Sequence, residues 1–143
     1  MKNSFLVSAF ACTVLLTTGA AFAAAPADMS ISNNSFDVSN GYIHNIASPY
    51  PLGPKSFEAI PWAKMTELCH GATPRATLKG SDSCSIDVYA TYNSNPKLIH
   101  VATVTMFLSN GDIVSIVNAH GYQYGLQVVS TAPGQFELDM IQS

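Results

Sequence analysis

The chain has 143 residues and a formal net charge of −3, with six Lys and Arg against nine Asp and Glu. The length allows one domain with its own core. The charge excludes binding to nucleic acid or anionic membrane, which needs a basic stripe that the sequence lacks. Only 10% of the residues are charged, so exposed faces must rely on Ser, Thr, Asn and Gln, as in an exported, mostly β protein.

The N-terminus reads as a signal peptide. Lys2 gives a positive start, Phe5 to Leu16 is an apolar run of 12 residues, and Ala21-Phe22-Ala23 fits the small-residue cleavage rule. A bilayer-spanning helix needs roughly 20 apolar residues, so this run is too short for an anchor. Cys12 lies inside the apolar run rather than after it, which excludes a lipid-modified N-terminus. We expect cleavage after Ala23 and one exported domain over residues 24–143, in the periplasm or outside the cell. The leader has a bacterial pattern. Asn33-Asn34-Ser35 is formally a glycosylation sequon and has little meaning in that setting.

Asn40-Gly41 sits between two β-prone runs and predicts a hairpin turn. Ser48 to Pro54 holds three prolines, which forbids a helix or a central strand. This stretch is expected as a stiff loop that displays Tyr50 and Leu52. Pro61 to His70 is the best helix candidate, with proline in its first turn and Gly71 beyond its end. Trp62, Met65, Leu68 and Cys69 make one apolar stripe on it.

Cys69 and Cys84 are the two cysteines left after cleavage. An even count in an oxidising compartment predicts a disulfide, here between a helix end and a strand start. Zinc would need four Cys or His ligands at tight spacing, and only His70 is near. A nucleophilic thiol would need Cys69 to be free.

From Cys84 the pattern is strand after strand. Cys84, Ile86, Val88, Ala90 and Tyr92 alternate with polar neighbours. Leu98 to Leu108 is apolar on both faces and reads as a central strand covered on both sides, with His100 on the face of Ala102 and Val104. Asn110-Gly111 predicts a type I′ hairpin leading to Ile113–Val117. Tyr122 to Thr131 and Phe136 to Ile141 follow as two more strands. The expected fold is α+β: an antiparallel meander of about five to seven strands, one short helix packed on it, and one disulfide. A small β-sandwich is the alternative.

Motifs for serine hydrolases, zinc proteases, P-loops and EF-hands are absent. No two of His44, His70, His100 and His120 stand at i, i+2 or i, i+4. We therefore assign no catalytic residue, no metal and no cofactor. The candidate surface is Tyr50, Leu52, Tyr89 and His120, since tyrosine favours recognition surfaces and turns carry function. Tyr89 near Tyr50 would make an aromatic patch. The leading function is a small exported, non-enzymatic binding or envelope-associated protein, whose partner is a protein or an envelope component. The alternatives are a hydrolase pairing His120 or His100 with a carboxylate such as Asp87 or Asp112, and a secreted inhibitor presenting loop 48–54.

Overall fold

The computed structural model describes residues 24–72, 82–91, 98–119 and 125–140. In chain order the elements are β1 (Asp28–Asn33), β2 (Val38–Ile43), β3 (Ile46–Ala47), β4 (Ser56–Pro61), α1 (Trp62–Ala72), β5 (Ser83–Thr91), β6 (Leu98–Phe107), β7 (Ile113–Asn118), β8 (Leu126–Ala132) and β9 (Gln135–Met140). They form two sheets, β4-β1-β9-β8 and β3-β2-β5-β6-β7. Apolar residues from both line one core, among them Met29, Ile60, Phe136 and Leu138 from the first and Ile86, Val88, Val104 and Met106 from the second.

Among the described residues the arrangement is the sandwich of the alternative reading, with nine strands and one helix, the expected one. The local hairpins β5–β6, β6–β7 and β8–β9 are antiparallel, as the turn signals predict. They do not continue as one meander. After β7 the chain leaves its sheet, and β9 pairs in parallel with β1, Ser30 opposite Gln135 and Asn33 opposite Leu138. Turn residues report only on neighbours in sequence, so they carry no trace of this pairing.

Two turns differ from expectation. Asn40-Gly41 lies inside β2, not in a turn. The β2–β3 turn is His44-Asn45, with φ of 50° and 66°, the positive values that a type I′ turn needs. Gly41 is required for another reason: a Cβ there would lie 2.9 Å from Ile86 Cγ2. The Asn110-Gly111 signal does mark a turn, but the loop spans residues 108–112. It is closed by Gly111 N–H to Phe107 O and Phe107 N–H to Asp112 O, both 2.9 Å.

β6 has one buried face, not two. A bulge shifts the register, so that Val88 faces Ala102 while Tyr89 faces His100. Val101 and Ala102 are both fully buried, and His100 turns outward instead of sharing the face of Ala102 and Val104. An extra residue in one strand reverses the alternation beyond it.

The helix matches its predicted stripe: Trp62, Met65 and Cys69 are buried and Leu68 is half-buried. Trp62 Nε1 donates to Leu108 O at 2.9 Å. Cys69 and Cys84 are bridged, S–S 2.06 Å. Because α1 follows directly from β4 and Cys84 lies in β5, the bridge links the two sheets.

Loop 48–54 is not freely displayed. Leu52 is 5% exposed and exchanges both backbone hydrogen bonds with Ser39. Its anchor is Asn33, fully buried, whose Nδ2 donates to Asp37 O, Leu52 O and Gly53 O. Asn33 Oδ1 in turn accepts from Ser35 N–H and Ser35 Oγ. The amide of the formal sequon is thus consumed by the fold. Unpaired, these buried groups would each cost about 1–3 kcal/mol, which explains why the loop is drawn inward.

Closing the 15-residue separation of Cys69 and Cys84 predicts that Cys69→Ser lowers stability by about 2–5 kcal/mol. Denaturant unfolding of the oxidised protein and the variant checks this. Equal midpoints would contradict the staple.

Candidate functional site

The outer face of the five-stranded sheet gathers the polar and aromatic side chains that sequence left scattered. Antiparallel register places Tyr42 opposite Asp87 across β2–β5, and Asp87 opposite Thr103 across β5–β6. Tyr89 and His100 pair beyond the bulge. The Tyr42 and Tyr89 rings meet edge to face, with centroids 4.9 Å apart and planes at 72°. Tyr89 and His100 follow at 5.2 Å and 44°. The three rings form a continuous row across β2, β5 and β6.

Beside the row lies a chain of hydrogen bonds. Thr103 Oγ1 donates to Asp87 Oδ1 at 2.7 Å. His100 Nε2 is 3.2 Å from Thr103 Oγ1 and 3.6 Å from Asp87 Oδ1. A carboxylate only accepts, and a hydroxyl has one proton. The Thr103 proton is therefore given to Asp87, and His100 Nε2 must donate to Thr103. That polarity is the reverse of a hydroxyl delivering its proton to a histidine base. The His100 and Asp87 side chains are 41% and 37% exposed, so water screens the pair. Neither of the two cavities described for the molecule includes them.

The four candidate surface residues do not come together. Tyr89 is in the row, but its aromatic partner is Tyr42. Tyr50 is half-buried and packs against the core. It lines a cavity of about 40 Å³ between the sheets, with Ile43, Met65, Leu68, Val88 and Leu138. Leu52 also lines that cavity and is buried. His120 lies outside the described residues. His44 and His70 are exposed, in a turn and in the last turn of α1. Among the described residues no three of His, Cys, Asp and Glu are placed to hold a metal ion.

Sequence reading missed Tyr42 and Thr103 as members of the site. With the turn placed at His44-Asn45, Tyr42 falls on the outer face of β2 beside Tyr89, and a bulge in β6 brings His100 to the other side of Tyr89. The bulge has no signal in residue type.

A protein-family model described as "T2SS substrate NttC" matches residues 2–138. The chain belongs to the NttC family of type II secretion system substrates. The match includes the whole apolar N-terminal run, and the family is one of secreted proteins, in agreement with export from the cytoplasm. The crystal structure of the Legionella pneumophila type II secretion system substrate NttC is similar, with a TM-score of 0.67 and 27% identity over 82% of this chain and 100% of that one. No curated protein matches significantly. No helix among the described residues is long and apolar enough to cross a membrane.

The Tyr42–Tyr89 edge-to-face pair predicts a coupling of about 0.5–1.5 kcal/mol in a double-mutant cycle. Unfolding of Tyr42→Ala, Tyr89→Ala and the double variant measures it. Strict additivity would mean that the rings do not hold one another in place.

Proposed function

We propose that this protein is a secreted, non-enzymatic binding protein, and that the Tyr42–Tyr89–His100 row is its recognition surface. Its route begins with loss of residues 1–23 and continues with oxidation of Cys69 and Cys84 outside the cytoplasm. Release by the type II system follows, as its family implies. The partner is a protein or an envelope component of the cell's surroundings.

One observation carries the non-enzymatic reading: the Thr103 proton is held by Asp87, with His100 donating to Thr103. In the only histidine–carboxylate pair among the described residues, His100 is therefore not the base for the neighbouring hydroxyl, and the pair stands on an open sheet face. The row supports recognition because tyrosine offers a large contact area at low entropic cost. Pairing across strands also fixes its rings before any partner arrives. The inhibitor reading is less well supported. Loop 48–54 is tied down at Leu52, whereas a loop offered to a protease must present free backbone.

The test uses oxidised residues 24–143 purified from culture medium. The intact mass should begin at Ala24 and lie two hydrogens below the reduced value. Fluorogenic ester, glycoside and peptide substrates should show no turnover that depends on His100. An envelope component retained by the wild type should be lost with Tyr42→Ala/Tyr89→Ala. Turnover abolished by His100→Ala, or equal retention by the double variant, would contradict the reading.

A further inference from the structure

Two rings of the aromatic row form a corner, and a carboxylate stands at its foot. Tyr42 and Tyr89 have their planes at 72° and their centroids 4.9 Å apart, so two ring faces meet as walls. Asp87 lies directly opposite Tyr42 across β2–β5. It precedes Tyr89 by two residues, which puts both on the same face of β5. Its Oδ1 accepts from Thr103 at 2.7 Å. Its Oδ2 has no partner among the described residues. Two π faces and one free carboxylate oxygen therefore share one corner of the open sheet.

Charge decides what fits there. Ring faces and a carboxylate both attract a cation. The two lysines among the described residues are engaged elsewhere: Lys55 lies over Phe36, 4.4 Å from the ring centroid, and Lys64 pairs with Glu67 at 3.3 Å. The kind of cation follows from its donors. A primary ammonium is strongly hydrated and brings three N–H donors. The corner offers it one carboxylate oxygen and two ring faces, which do not replace the lost water. A quaternary ammonium has no N–H to satisfy, and its methyl groups suit ring faces.

The next rung of the sheet selects what carries that ammonium. Ser85 precedes Asp87 by two residues, about 7 Å along the same face of β5, and faces Thr105 across β5–β6. Ser85 Oγ and Thr105 Oγ1 are 2.8 Å apart. Two hydroxyls carry two protons and their mutual bond uses one, so the pair keeps one proton to donate outward. A phosphate accepts such a bond, and a two-carbon link holds ammonium and phosphate at a separation of that order. We infer that this face binds the phosphocholine headgroup of a lipid surface, with the quaternary ammonium in the Tyr42–Tyr89–Asp87 corner and the phosphate at Ser85 and Thr105. The inference rests on the reading of the row as the recognition surface and names the chemistry of its envelope component. A trimethylated lysine of a partner protein would fill the corner alone and leave the hydroxyl pair unused.

The test measures retention of the oxidised, secreted protein by phosphatidylcholine vesicles in a flotation assay. Retention is expected. Soluble phosphocholine should displace the protein, whereas phosphoethanolamine, which lacks only the three methyl groups, should leave it bound. Tyr42→Ala and Tyr89→Ala should each weaken retention about fivefold. Asp87→Asn is isosteric and keeps an acceptor for Thr103, so it removes the charge without removing the fold, and it should weaken retention by a similar factor. Glu67→Gln removes the same charge from the exposed face of α1 and should change nothing. No retention by the vesicles, equal displacement by phosphoethanolamine, or equal loss with Glu67→Gln would overturn the inference. Capture of a trimethyl-lysine peptide without the vesicles would also overturn it. In each of these cases an envelope component still lost with Tyr42→Ala/Tyr89→Ala would uphold the recognition surface, so the two readings fail separately.

Discussion

Without the parallel pairing of β1 with β9, this chain would be a set of local hairpins with no second layer. β1 joins β4 on one side and β9 on the other, so it carries the whole four-stranded sheet. Several contacts hold it there. Trp62 N–H bonds to Ala27 O, and Ser30 N–H bonds to Gly134 O. Just before β1, Pro26 fills the space that Cβ atoms at Gly111 and Gly134 would take, at 2.9 and 3.0 Å. Both glycines have positive φ, so their loops can close around the proline where other residues would be strained. The disulfide then ties the helix that continues from β4 to β5 in the opposite sheet. Pairing creates the second layer, and the bridge locks it onto the first.

The parts of this fold that depend on near neighbours were readable from sequence. The helix stripe of Trp62, Met65 and Cys69, the inward set of Cys84, Ile86, Val88 and Ala90, and the inward Phe136 and Leu138 all sit where periodicity placed them. The cysteine bridge followed from count and compartment. What failed depends on contacts distant in the chain. The β1–β9 pair joins the two ends. The bulge at Val101 moves His100 to the solvent face. Buried Asn33 pulls Leu52 inside, although three prolines suggested an exposed loop. Asn-Gly was a reliable turn signal at 110–111 and a false one at 40–41, where glycine serves the approach of Ile86.

The same long-range features build the candidate site. The bulge brings His100 to Tyr89, and the His44-Asn45 turn sets the register that brings Tyr42 to Tyr89. The row is held on the three inner strands of one sheet of a stapled sandwich, so partner binding should cost little ordering of the surface. The row offers aromatic area beside a carboxylate that accepts from Thr103 and an imidazole that donates to the same hydroxyl.

Hydroxyl-radical footprinting of the oxidised protein, with and without solubilised envelope from the source cells, tests the recognition surface most directly. Tyr42, Tyr89 and His100 should lose labelling together, while exposed Phe36 and Phe57 keep theirs. Unchanged labelling of the three rings, or equal loss at Phe36 and Phe57, would contradict the account.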